Sequence, residues 1–163
     1  MAPKGILGSL LDELHCMVAF KNQSGHDLGS IEDILAGLPE VVLEFEGRES
    51  CWHISLVLTT DDHLRQLHAE HHGADTFTDV MAFLYGSSDV FQHVTFGEIV
   101  VSVDRAIEQA EEAGWSLMEE LSFLLIHGML HLCDWQDDTD KNRKRMFARQ
   151  HEIMQTMKSP NGV

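Results

Sequence analysis

Two histidines and an aspartate have the spacing of a metal site. His127 and His131 stand four residues apart, and Asp137 follows six residues later. Side chains four residues apart on a helix lie on one face, so both imidazoles can reach one divalent cation. A carboxylate beyond the helix end can be the third ligand, which leaves the fourth position open, as in catalytic zinc sites. Asp138 and Asp140 are alternative third ligands, because the sequence does not define the intervening loop.

The residue after the first histidine argues against the usual metalloprotease mechanism. In HExxH metalloproteases this position is Glu, which acts as the general base. Here it is Gly128, which has no side chain to accept a proton. Residues 121–126 are apolar and typical of a buried helix, in which an imidazole needs a partner such as a metal ion. The competing interpretation of the bare spacing is two histidines that share a core-facing helix surface.

Three blocks of sequence together are more specific than the histidine pair. Residues 127–137 read H-G-M-L-H-L-C-D-W-Q-D, residues 78–83 read T-D-V-M-A-F, and residues 97–101 read G-E-I-V-V. In order and spacing they resemble the signature H-G-x-L-H-L-x-G-Y-D-H and two strands, T-D/N-V-L-S-F and G-D/E-I-x-I, of the YbeY family. That family comprises metal-dependent endoribonucleases that mature ribosomal RNA. The resemblance extends over about residues 41–154.

The resemblance implies a fold, a cofactor and an activity. We expect one α+β domain over residues 1–163, with a roughly four-stranded mixed sheet, about five to six helices and a zinc site at the end of a central helix. Residues 1–40 would be a helical N-terminal extension. One Zn²⁺ per chain would be held by His127, His131 and Asp137. The expected activity is cleavage of single-stranded or ribosomal RNA, with His127 and His72 as catalytic residues.

Three positions depart from the family signature. Asp137 replaces a histidine ligand, and Asp is a competent oxygen ligand for zinc. Asp134 replaces a glycine at a helix end, where Asp tolerates the left-handed conformation better than most residues. His72 replaces an arginine, and a histidine is charged only part of the time and cannot make the same forked contact with phosphate. We still expect His72 to contact the phosphate or the transition state.

These departures leave two alternatives to the nuclease open. One is a ribosome-biogenesis scaffold that keeps the fold, has weakened catalysis and binds a ribosomal protein or a ribosome-associated GTPase. The other is a metal-dependent hydrolase of a small phosphoester or amide.

The charge distribution bears on RNA binding. The net charge is −16, which opposes binding to phosphates. Five of the eleven Lys and Arg residues nevertheless fall within residues 141–149. Four of them are candidates for RNA contacts: Lys141, Arg143, Lys144 and Arg145. The alternative is a solvated helix face that balances the nearby aspartates.

Cysteine usage and hydropathy indicate a cytoplasmic protein. The three cysteines are an odd number at wide spacing, which is typical of a reduced chain without disulfides. No apolar run approaches the roughly 20 residues that span a bilayer, and the N-terminus lacks signal-peptide features. We read Cys133 as a core residue.

Periodicity and capping residues predict the elements that position the site. The expected helices cover residues 6–18, a short segment after Ser30, 61–71, 104–114, 116 onward with a Ser116/Glu119 capping box, and 138–158. The expected strands are 41–46 and 52–58, joined by a hairpin turn at 47–51, followed by 80–84 and 99–103 on either side of a polar loop. Residues 73–76 are expected to form a loop. His68, His71 and His72 form a second cluster at helical spacing, read as exposed polar groups.

Overall fold

The structure is a computed structural model that describes residues 17–48, 51–72, 78–87 and 94–158. Four strands and six helices lie in these ranges. In chain order they are β1 (Met17–Asn22), α1 (Ile31–Ala36), α2 (Leu38–Phe45), β2 (Cys51–Thr59), α3 (Asp61–His72), β3 (Val80–Ser87), β4 (Val94–Ser102), α4 (Val103–Ala113), α5 (Leu117–Leu132) and α6 (Asp140–Met157).

The strands form one mixed sheet in the order β1-β2-β4-β3. β1 and β4 both run parallel to β2, whereas β3 is antiparallel to β4. Along β2, alternate side chains are fully buried, in keeping with the period of two of a strand: Trp52, Ile54, Leu56 and Leu58. The expected α+β class and four-stranded mixed sheet are confirmed.

The central helix is α5, which contacts β3, β4 and four of the other helices. It begins with the predicted capping box, in which the Ser116 hydroxyl accepts from the Glu119 N–H and the Glu119 carboxylate accepts from the Ser116 N–H. Most of its surface is apolar and buried, so tertiary packing holds it on every side. A helix held this firmly is a rigid platform for the two histidines at its C-terminal end.

Two glycines let α5 lie directly on the sheet. A Cβ at Gly128 would lie 2.7 Å from Cγ2 of Ile99 on β4. A Cβ at Gly97 would lie 2.8 Å from the Phe83 carbonyl oxygen and 3.1 Å from Cδ2 of Leu132. All three distances are shorter than ordinary van der Waals contacts. Gly128 therefore has a packing reason to follow the first histidine.

A smaller apolar cluster covers the opposite face of the sheet. It comprises Leu64 of α3, Met81 of β3 and Val100 of β4, all buried. Since successive β4 side chains alternate between faces, Ile99 faces α5 while Val100 faces α3. α3 and α5 thus pack on different faces of the sheet.

The prediction of a strand at 41–46 was wrong, because these residues lie mostly in α2. Pro39 occupies the first turn of α2, where its missing N–H costs nothing, and Leu38, Val42 and Leu43 are buried at helical spacing. The predicted hairpin turn at 47–51 was wrong for the same reason. The neighbour of β2 on that side is β1, and the two are parallel.

The helical reading of the N-terminal region also needs correction. The predicted helix at 6–18 lies largely outside the described residues, which begin at Met17. Residues 17–22, including Val18, form β1, in which exposed and half-buried residues alternate. The short helix after Ser30 is confirmed as α1, although the Ser30 side chain makes no capping hydrogen bond.

The remaining elements were predicted with small errors at their ends. β3 and β4 are longer than expected and pair with each other. The middle of the predicted polar loop between them, residues 88–93, lies outside the described residues. Two caps lie just before the predicted aspartates: Ser102 accepts from the Arg105 N–H, and Thr60 accepts from the His63 N–H. The predicted loop at 73–76 lies outside the described residues. Among the described helices, none has the length and hydropathy to cross a bilayer.

Candidate metal centre

The C-terminal turn of α5 folds the chain back toward the histidines. Asp134 has φ 68°, the left-handed conformation that the sequence predicted for this position. Its N–H donates to the His131 carbonyl, and the Trp135 N–H donates to the Leu130 carbonyl. This pair of bonds is a Schellman motif with Asp in place of the usual Gly. Arg48 supports the turn by donating to the Cys133 carbonyl at 2.7 Å.

The turn brings Asp137 onto the two histidines. Oδ2 of Asp137 lies 3.2 Å from Nε2 of His127 and 3.3 Å from Nε2 of His131. The two Nε2 atoms are 3.1 Å apart. His127 is the most enclosed of the three, with 15% of its side chain exposed, whereas Asp137 is 40% exposed. The three residues predicted as ligands therefore converge on one point that is open on one side.

Hydrogen bonds at Nδ1 fix the orientation of both imidazoles. Nδ1 of His127 lies 2.9 Å from Oε1 of Gln150, and Nδ1 of His131 lies 3.0 Å from the Trp135 carbonyl oxygen. Gln150 is fully buried, and its Nε2 donates to the Phe123 carbonyl, so its Oε1 is the atom left to accept. Both partners are acceptors, so each Nδ1 carries the proton. Each neutral ring then presents the lone pair of Nε2 to the centre.

This arrangement fits a divalent cation. Two Nε2 lone pairs and a carboxylate oxygen face one another, and none of the three can donate when the rings are neutral. In a tetrahedral zinc site with bonds of about 2.0–2.1 Å, neighbouring ligand atoms stand about 3.3 Å apart. The three observed separations of 3.1–3.3 Å match that edge length. The group could hold a metal ion, with histidines oriented by the kind of outer partners that metal sites use.

The two alternative aspartates make other contacts. Asp138 accepts from the Asn142 side chain at 2.8 Å, and Asp140 pairs with Arg143 at 2.9 Å. Asp137 is thus the aspartate that joins the histidines. Cys133 is buried, and burial raises the pKa of its thiol to about 11. A thiol held neutral in this way suits the core role predicted for it.

A cleft of about 400 Å³ opens over the three ligand atoms. Residues of α3, β3 and α5 line it together with the turn after α5: His68, Thr78, Asp79, Val80, Met81, Ala82, His127, Gly128, His131 and Asp137. The histidine cluster of α3 therefore contributes His68 to the cleft. His72 is the last residue of α3, and its side chain lies outside the described part of the structure.

The four predicted RNA-contacting cations are all exposed on the first turns of α6. None is among the described residues that line the cleft. Arg143 is engaged with Asp140, and Arg145 borders a separate depression with Trp135 and Gln136. These cations are close to the candidate ligands in the sequence, but in the structure they lie on the exposed surface of α6.

Asp79, which lines the cleft, lies near a buried acidic residue of α5. Glu120 is buried in α5, and burial together with the nearby Asp79 raises its pKa. Asp79 lines the cleft and accepts from the Gln109 side chain at 3.2 Å. The repulsion adds to the cost of ionising the buried carboxyl.

Sequence reasoning missed Gln150 and Arg48. Gln150 is far from the histidines along the chain, so no spacing connects them. The available signal was a polar residue on the face of α6 that also carries Met146, Ile153 and Met154, all buried. A buried amide needs hydrogen-bond partners, and here one partner is a histidine of the metal centre.

Known proteins share both the sequence and the fold. The family model described as Endoribonuclease YbeY matches residues 19–158. Endoribonuclease YbeY of Bacillus licheniformis is 36% identical over 135 residues, which cover 76% of this chain and 85% of the relative. Endoribonuclease YbeY of Clostridioides difficile is 32% identical over 130 residues, with the same coverage.

A solved structure extends the comparison to three dimensions. The solution structure of TM1509 from Thermotoga maritima superposes with a TM-score of 0.56 at 29% identity, covering 84% of this chain and 86% of that one. The family match begins at residue 19, so it includes most of β1, which lies before the range of about 41–154 over which the sequence motifs resemble the family. With most of its length matched, and with the histidines held on α5 within that match, the chain belongs to the endoribonuclease YbeY family.

Proposed function

We propose that this protein is a zinc-dependent endoribonuclease that cuts single-stranded RNA during ribosomal RNA maturation in the cytoplasm. The observation that carries the proposal is the convergence of His127, His131 and Asp137, with both imidazoles fixed so that Nε2 faces the centre. The names of the relatives in Bacillus licheniformis and Clostridioides difficile support the RNA-cleaving activity.

Zinc is the metal that best suits this donor set. Imidazole nitrogens with one carboxylate oxygen in a tetrahedral arrangement are typical of catalytic zinc sites, which keep one position open. Magnesium and calcium prefer shells made of oxygen alone. The short separations among the three ligand atoms also favour a small, four-coordinate ion.

The residues of the cleft have separable roles in the proposed reaction. A cation held by His127, His131 and Asp137 would polarise a phosphoryl oxygen and lower the pKa of a water beside it. Gln150 and the Trp135 carbonyl keep the two imidazoles in the tautomer that can bind the cation. His68 and Thr78 line the cleft and would lie beside the phosphate oxygens. His72, at the end of α3, is proposed to assist with the developing negative charge.

A single strand suits the shape of this cleft. The ligand atoms share the cleft with residues of α3 and β3. Single-stranded loops and ends can splay out their nucleotides and bring a backbone phosphate into such a cleft more readily than a duplex can. The strong net negative charge opposes general attraction of RNA. A ribosomal protein or a ribosome-associated GTPase would therefore help to bring the enzyme to its substrate.

The test is cleavage of single-stranded RNA by the zinc-loaded protein and by two matched variants. Asp137→Ala removes a ligand, whereas Asp138→Ala removes an exposed carboxylate one residue away that bonds only to Asn142 among described contacts. We expect cleavage by the wild type and by Asp138→Ala, and its loss in Asp137→Ala. Equal cleavage by all three would contradict the proposal. Metal binding without any cleavage would favour the scaffold instead.

A further inference from the structure

A row of aromatic rings leads away from the metal centre. The ring centroid of His127 lies 6.1 Å from that of Phe147, which lies 6.0 Å from Phe123. Phe123 continues the row to His151 at 5.1 Å and to Trp115 at 5.4 Å. We call these rings, Phe147, Phe123, His151 and Trp115, the aromatic row. It links the metal centre to the outer surface of α6.

The row is open to solvent where it meets the metal centre. Phe147 is 40% exposed although it stands on a strongly polar helix. A partly exposed ring between a metal ligand and a second aromatic ring has an open surface on which a planar group could stack. Phe123 and Trp115 are half-buried and support the row from below.

A cation lies on the same side of α6. Lys144, Phe147 and His151 are spaced at i, i+3 and i+7, which places them along one face of the helix. Lys144 and His151 are exposed. The face thus offers a positive charge, then a ring, then a second ring. This order complements a nucleotide, whose phosphate is negative and whose base is flat.

We propose that the aromatic row is a nucleobase-binding subsite for the nucleotide next to the phosphate that is cut. The base stacks on Phe147, and Lys144 contacts a phosphate of the same strand. This inference rests on the proposed function, because it extends the substrate from the metal centre along α6. Stacking on a ring accepts every base, so the subsite gives affinity and position with little sequence preference.

The contact with His127 gives the subsite a positioning role as well. Phe147 borders the imidazole of His127, whose Nδ1 is hydrogen-bonded to Gln150. A base stacked there would hold the adjacent phosphate near the cleft without touching the ligand atoms. We therefore expect removal of the ring to raise KM for RNA more than it lowers kcat.

The first test measures RNA binding without metal, in the presence of a chelator. Fluorescence anisotropy with a short single-stranded RNA would compare the wild type, Phe147→Leu, Phe147→Trp and Phe96→Leu. Phe96 is the matched control because its exposure, 37%, is similar to that of Phe147. It lies on β4 next to Gly97, which faces α5, so the Phe96 side chain lies on the other face of the sheet. We expect Phe147→Leu to bind about 5- to 20-fold more weakly, as for the loss of one base–aromatic stack. Phe147→Trp and Phe96→Leu should bind like the wild type.

A second set of RNAs shows whether the base is what Phe147 binds. Each oligonucleotide carries a single abasic position, so that one of them lacks the stacked base. For that RNA, the wild type should lose as much affinity as Phe147→Leu loses on intact RNA, and the variant should lose no more. Lys144→Ala, on an exposed side chain that does not support the fold, should lower the salt dependence of binding by about one ion contact.

The outcomes separate this inference from the proposed function. Wild-type affinity in Phe147→Leu, or an equal loss with every abasic RNA, would overturn the subsite while cleavage by the metal centre stands. Binding that depends on Phe147 in a protein that cuts no RNA would support the subsite and overturn the nuclease. A wild type that binds no single-stranded RNA would overturn both. If Phe147→Leu fails to fold, an unchanged salt dependence in Lys144→Ala overturns the subsite by itself.

Discussion

Replacement of Gln150 by leucine should weaken metal binding although Gln150 touches no metal ligand atom. Its Oε1 accepts the Nδ1 proton of His127 at 2.9 Å, and its Nε2 donates to the Phe123 carbonyl at 3.2 Å. Leucine fills a similar space but offers no acceptor. The ring of His127 would then be free to rotate or to move its proton to Nε2, which cannot bind a cation while protonated.

The size of the effect follows from the two bonds that are lost. Removing an outer partner of a metal-binding histidine typically costs 10- to 100-fold in affinity, or about 1.4–2.7 kcal/mol. The Nδ1–H of His127, which is largely enclosed, would lose its partner at a cost of about 1–3 kcal/mol in the free energy of unfolding. Burial of the leucine side chain offsets part of this second cost.

Metal affinity is best measured by competition with a chromophoric zinc chelator, and stability by urea denaturation of the metal-free protein. Gln155→Leu is the matched control, because Gln155 is exposed on the same helix. Gln150→Glu keeps an acceptor for the Nδ1 proton, so its affinity should stay near that of the wild type. A folded Gln150→Leu protein with wild-type affinity would refute the idea that this hydrogen bond sets the tautomer of His127.

Three further predictions concern the frame of the site. Gly128→Ala should lower the free energy of unfolding by about 1–2 kcal/mol in urea denaturation, because its Cβ would meet the stiff, buried side chain of Ile99 at 2.7 Å; unchanged stability would show that the helix can shift. Glu120→Gln should raise the denaturation midpoint at neutral pH. The pKa of Glu120 is raised by burial and by Asp79. The wild type is therefore relatively more stable below the ordinary pKa of 4.5 and loses that stability as the pH rises through the folded-state pKa. A difference between the two denaturation midpoints that did not close in acid would contradict this prediction. Cys133, with a thiol pKa of about 11, should resist alkylation at pH 8 in the folded protein and react once the chain is unfolded, as mass mapping of its peptide would show.

The convergence of the candidate metal ligands could be predicted because local geometry connects these residues. Spacing of four residues on a helix placed His127 and His131 together. The Schellman turn at Asp134 required only a residue that tolerates positive φ. The choice of Asp137 over its neighbours depends on how the chain leaves that turn. The sequence therefore identified the residues that converge and left open which aspartate joins the two histidines.

The hydrogen-bond partner behind His127 and two elements of the fold could not be predicted from local spacing. Gln150 reaches His127 only because α6 packs against α5, and packing between helices leaves no fixed spacing in the sequence. Residues 41–46 are rich in β-branched and aromatic side chains that favour strands, yet the helix signals at Gly37 and Pro39 and the burial of Val42 prevailed. Val18 continued a helical pattern by chance, whereas its parallel pairing with β2 is a long-range contact.

The most direct test of the metal centre is the metal content of the untagged protein, measured by elemental analysis for the wild type, Asp137→Ala and Asp138→Ala. We expect one zinc ion per chain in the wild type and in Asp138→Ala, and little in Asp137→Ala, because Asp137 places an oxygen 3.2 Å and 3.3 Å from the two Nε2 atoms. A wild type that binds no metal after incubation with zinc, or an Asp137→Ala variant that binds as much as the wild type, would contradict the proposed centre.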